Sequence, residues 1–93
     1  GPSHSRRSIR LLQNYPNPFN PKTVIRYEMS EPRNVRLVVH DVLGRTVAVL
    51  VDERKEAGEH QVSWDAQGLP SGVYMCRLEA GLYSDTKRIM LLR

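Results

Sequence analysis

The residue types that most readily do chemistry are few and scattered in this chain. Three histidines, His4, His40 and His60, stand far apart, and none falls in the short ligand spacings of a zinc site. Cys76 is the single cysteine, which excludes an internal disulfide and a multi-cysteine metal site and leaves it as a small core residue. No serine sits in a nucleophile elbow and no glycine-rich loop is built to cradle phosphate, so neither covalent catalysis nor a bound cofactor is expected. Asp41, Asp52 and Asp65 each read as ending a strand. Calcium at converging loops is one reading of them, and turn formation is the plainer one.

The most distinctive run is Asn14-Tyr15-Pro16-Asn17-Pro18-Phe19-Asn20-Pro21. Proline fixes its own backbone angle and pushes the preceding residue towards extended conformations, so the run predicts a stiff, non-helical lead-in to the fold. Phe19 is expected to plug the end of the core. The alternative makes Tyr15 and Phe19 a proline-flanked aromatic platform for sugar or peptide.

Positioning these residues falls to β-strands. No segment has a sustained helical apolar period with caps, whereas short alternating runs recur between turn signals. Seven strands are predicted: Arg10–Tyr15, Thr23–Met29, Asn34–Asp41, Thr46–Asp52, Glu59–Asp65, Gly72–Ala80 and Tyr83–Leu92. Ile25, Tyr27 and Met29 alternate with Arg26 and Glu28, as a half-buried strand requires. Val35, Leu37 and Val39 repeat the pattern, as do His60, Val62 and Trp64, and then Tyr74, Cys76 and Leu78. Trp64 is the candidate core anchor. The turns fall at Glu31–Asn34, Leu43–Arg45, Glu56–Gly58, Leu69–Gly72 and Ala80–Leu82. Together these predict an all-β, seven-stranded antiparallel β-sandwich of the immunoglobulin or fibronectin III kind.

Composition sets limits on what such a sandwich does. A chain of 93 residues holds one domain. Gly1-Pro2-Ser3-His4 reads as the remnant of a cleaved tag, residues 1–10 as that remnant plus a linker, and 11–93 as the domain. No apolar run approaches a membrane span. Of the 14 Lys and Arg, the three at Arg6, Arg7 and Arg10 belong to the leader; the other 11 face 10 Asp and Glu, too even a balance for a nucleic-acid-tracking stripe. The last strand stands apart. Ile89-Met90-Leu91-Leu92 is apolar on both faces, so it is either covered on both sides or offered to a partner.

The run Asn14–Pro21 with Thr23-Val24-Ile25-Arg26-Tyr27, then Asp41-Val42-Leu43-Gly44-Arg45, then Leu69-Pro70-Ser71-Gly72-Val73-Tyr74, resembles the C-terminal sorting domain of type IX secretion substrates. The immunoglobulin-like domain of the flagellar hook-capping protein is a related pattern. The resemblance covers about Leu11 to Arg93. It implies a domain at the C-terminus of proteins secreted by certain Gram-negative bacteria, which marks its cargo for passage across the outer membrane after a signal peptide has delivered the precursor to the periplasm. The partners it implies are the translocon, which reads the domain, and a surface sortase that cleaves before it, in the region matched by Ser5 to Arg10.

By position, the resemblance assigns recognition to Pro70, Gly72 and Tyr74 of the Pro70–Tyr74 motif and to Lys87, Ile89, Leu91, Leu92 and Arg93 of the terminal strand. Asn17, Pro18, Phe19, Asn20, Pro21, Gly44 and Trp64 are assigned to the framework. An apolar final strand ending at Leu91-Leu92-Arg93 suits binding by strand addition to a receptor sheet, and makes a monomer or weak dimer the expected state. The rival readings are a fibronectin-like spacer, a carbohydrate-binding module and a hook-capping domain.

Overall fold

A computed structural model describes residues 8–93. The predicted tag remnant at Gly1–His4, and Arg6 and Arg7 of the leader, lie outside the described residues. Seven strands follow in order: β1 (Ile9–Leu11), β2 (Lys22–Met29), β3 (Arg33–His40), β4 (Thr46–Lys55), β5 (Gly58–Asp65), β6 (Gly72–Ala80) and β7 (Tyr83–Leu91). They form two antiparallel sheets, β1-β2-β5 and β4-β3-β6-β7, packed as an immunoglobulin/fibronectin III-like sandwich. Among the described residues no helix is long and apolar enough to cross a membrane.

Side-chain alternation explains why the two sheets close on each other. Ile25, Tyr27 and Met29 of β2, Leu37 and Val39 of β3, Trp64 of β5, and Tyr74, Cys76 and Leu78 of β6 are buried in one core. Their strand neighbours Arg26, Arg36, Gln61 and Arg77 are exposed. Trp64 sits between two aromatic rings, with Phe19 at 5.7 Å and Tyr74 edge-on at 6.2 Å between centroids. Burial pushes the Cys76 thiol up to about 12, so it stays protonated and unreactive near neutrality.

Two strand ends differ from the sequence reading by more than one residue, those of β1 and β4. The strand expected at Arg10–Tyr15 is real only at Ile9–Leu11, so the fold begins before Leu11. Leu11 faces Tyr27 and Tyr15 faces Val24, so the chain bulges by one residue between those pairs. The buried Asn14 amide stabilises this departure by donating to the Pro16 carbonyl and to Thr23 Oγ1. At the other end β4 runs through Asp52-Glu53-Arg54-Lys55, because their backbones pair with Arg36 back to Arg33 whatever the side chains prefer. Asp52 therefore lies within a strand, opposite Arg36. Asp41 and Asp65 each accept backbone N–H groups of their own turns. Among the described residues no group of three or more His, Cys, Asp or Glu could hold a metal ion.

The proline-rich lead-in lands on β7. Phe19 N–H donates to the Met90 carbonyl and Leu92 N–H donates to the Phe19 carbonyl, both at 2.9 Å, a parallel bridge centred on Leu91. Its ring is buried against Trp64, as the plug reading requires. Tyr15 stays 75% exposed, so the two rings do not form one platform. Replacing Phe19 by Ala removes both ring and plug and is expected to cost about 3–5 kcal/mol. Urea denaturation measures this, and Phe19→Leu should recover much of the loss.

Candidate functional site

Two turns that are well separated in sequence meet at one pole of the sandwich. The β3–β4 turn, Asp41–Arg45, and the Leu69–Tyr74 run that leads into β6 line the same open groove of about 460 Å³. Each turn is fixed locally. Asp41 accepts the backbone N–H groups of Leu43 and Arg45 at 2.9 Å and the Arg45 guanidinium at 2.8 Å. The Arg45 amide foremost, with the Arg45 guanidinium and the Leu43 amide, holds the Asp41 carboxyl below the ordinary carboxylate range. Gly44 completes the loop at φ 84°, a region that side chains rarely enter.

The second turn is tied to the core beneath it. Tyr74 is buried and its hydroxyl donates to the Pro70 carbonyl at 2.6 Å, spanning the turn. Gly72 opens β6 at φ 151°, where an added Cβ would have space but a strained backbone. Arg93 closes the arrangement: its backbone N–H donates to Ser71 Oγ and its guanidinium to the Leu69 carbonyl.

Within the terminal strand the predicted site residues separate by face. Ile89 and Leu91 point inward and are buried, so they belong to the core. Leu92 and Arg93 are exposed and join Pro70 and Gly72 at the pole. Lys87 does not. It lines a different cleft, of about 620 Å³, beside β1 with Glu28 and Asp85.

Strand addition at the end of β7 meets an obstacle in the same geometry. Its outer edge is taken by the chain itself. Phe19 bonds Met90 and Leu92, the Asn17 side chain accepts the Met90 N–H at 3.0 Å, and the Gln13 amide donates to the Arg88 carbonyl at 3.1 Å. An expectation of backbone pairing between these last residues and a receptor sheet is therefore corrected: the end of β7 offers side chains, and its backbone is already paired.

Other sequence candidates have structural partners. His60 stacks on Tyr27 at 5.3 Å and its Nε2 lies 2.7 Å from the Glu56 carbonyl oxygen. The Arg33 guanidinium lies over the Tyr83 ring at 5.1 Å, which occupies one of the exposed aromatic residues a sugar site would need. Val42 and Leu43, by contrast, enter the site without having been singled out individually. They are 72% and 74% exposed at the tip of the Asp41–Arg45 turn. The available signal was two large apolar residues where turns ordinarily carry polar ones.

The sequence pattern of the family described as "Secretion system C-terminal sorting domain" matches residues 13–92. No curated protein matches the chain. Among solved structures it is similar to PorZ, described as an essential bacterial surface component of the type-IX secretion system of Porphyromonas gingivalis. That likeness has 22% sequence identity and a TM-score of 0.62, and it covers 87% of this chain and 11% of the other. It shows a shared fold.

A carboxyl held below its unfolded value stabilises the fold above the unfolded pKa of about 3.9, and the contribution is lost as pH falls through the folded value. Asp41→Asn should therefore be less stable than the parent at pH 7, and the gap should narrow in thermal melts below about pH 4. A gap unchanged down to pH 2 would remove the role given to this carboxylate.

Proposed function

We propose how this module is read, on the premise that the chain belongs to the secretion system C-terminal sorting domain family, whose pattern it matches over residues 13–92. The module is a type IX sorting signal, a member of a sorting family and not of a catalytic one. Its role is to direct attached cargo to the cell surface or the medium.

The translocon engages the folded module at the pole where the Asp41–Arg45 turn, the Pro70–Tyr74 turn and the end of β7 come together. The observation that carries this is the shared groove: two of the runs by which the sequence resembles the sorting domains line one surface. Pro70, Gly72, Leu92 and Arg93 act there, with Tyr74, Ile89 and Leu91 holding the surface from within. The route runs through the periplasm and across the outer membrane of a Gram-negative bacterium. Cleavage by a surface sortase falls ahead of Ser8, since Ser8 and Ile9 are buried in the fold.

The experiment is a periplasmic reporter carrying this chain at its C-terminus, expressed in a type IX-competent bacterium. The reporter should reach the surface or medium, and remain periplasmic without the chain or in a strain lacking the outer-membrane translocon. Export that is independent of the chain would overturn the reading. Trimming should stop at Leu92-Arg93, because Leu91 is core and its loss would confound folding with recognition. Gly72→Ala should cost about 1–3 kcal/mol in stability from backbone strain, and reporter export should fall with it.

A further inference from the structure

The register of β6 and β7 assigns one face of the pole to the solvent. Val73 stands opposite Met90 and Met75 opposite Arg88, on the side of the sheet turned away from the core. Leu92 continues that alternation. Met90 is 38% and Leu92 50% exposed, and the apolar tip of the β3–β4 turn, Val42 and Leu43, stands at the same end of the sheet. Val42 also borders a shallow depression with Met75 and Arg77, which makes the apolar surface continuous from the turn onto the sheet.

Most charge on this face near the pole is paired. Glu79 is engaged by both Arg36 and Arg77, and Asp41 by Arg45. Arg88 makes no ion pair among the described residues, and Arg93 spends its guanidinium on the Leu69 carbonyl. The apolar strip is thus bordered at Arg88 by a cation that no carboxylate among the described residues balances. Two copies meeting through this face about a two-fold axis would bring like charges together. A lipid surface would gain little from one cation.

We propose that this outer face is a docking surface for a protein of the export machinery that presents apolar side chains flanked by Asp or Glu carboxylates. Arg88 supplies the charge contact, and Met90 and Leu92, with Val42 and Leu43, supply the apolar one. The proposal rests on the sorting reading above and specifies the partner's chemistry.

The reporter fusion tests it with Arg88→Glu, Arg88→Lys, Met90→Ser and, as a control on the other sheet, Arg26→Glu, each checked by thermal melting. Arg88→Glu and Met90→Ser should each lower export about tenfold, Arg88→Lys should hold it within about twofold, and Arg26→Glu should leave it unchanged. A parent fusion that is not exported overturns the sorting reading itself. A parent that is exported, with Arg88→Glu and folded Met90→Ser exported equally well, overturns only the docking face. Two further measurements on the purified chain bear on the alternatives. It should stay monomeric in sedimentation velocity, and it should not co-sediment with vesicles of equal phosphatidylcholine and phosphatidylglycerol. A dimer abolished by Met90→Ser, or vesicle binding abolished by Arg88→Glu, would give the face to a second copy or to lipid and overturn the proposal.

Discussion

One residue ties the lead-in segment, the two sheets and the end of the chain's last strand together. The ring of Phe19 fills the space beside Trp64, while its backbone N–H and carbonyl pair with Met90 and Leu92. An edge strand is a template on which other chains assemble, and β7 is such an edge by its place in the sheet. Here the chain supplies its own short stretch of partner, held by the plug and reinforced by the Asn17 and Gln13 side chains. The opposite edge, β4, is handled differently. Its pairing with β3 shifts register twice, between Leu37 and Val38 and between Val39 and His40, and it ends in four charged residues. Bulges and charges both discourage edge-to-edge association.

With backbone groups near the end of β7 spent, what remains for a partner is the pattern of side chains. Alternation then divides adjacent residues between opposite duties. Leu91 is sealed in the core, whereas Leu92 is half in solvent. Tyr74 anchors its turn from below, whereas Val73 faces outward beside Met90. The groove shared by the Asp41–Arg45 and Leu69–Tyr74 runs exists only in the folded sandwich.

The sandwich was legible from sequence because its central strands alternate cleanly, and β2, β3, β5 and β6 appear where Ile25, Leu37, Trp64 and Cys76 place them. The strands misjudged were those where local chemistry and long-range pairing disagree. Asp52-Glu53-Arg54-Lys55 looks like a turn and is a strand, since β3 offers it a ladder. Gln13 and Asn14 look extended and leave the ladder, since their amides find other partners. The stiffness of the proline run follows from proline itself. Its destination does not, because contacts between Phe19 and Leu91 depend on the folded sheet. Lys87 shows the same limit: adjacent in sequence to the pole residues, it lies in another cleft.

Native-state hydrogen exchange of the purified chain, read at the Met90 and Leu92 amides, measures the closure of the β7 edge directly. Those two N–H groups donate to Asn17 Oδ1 and to the Phe19 carbonyl, so both should exchange slowly, with protection comparable to core amides of β6. Exchange at the rate of a free, solvated strand edge would mean that the lead-in does not hold β7, and that recognition by strand addition is open after all.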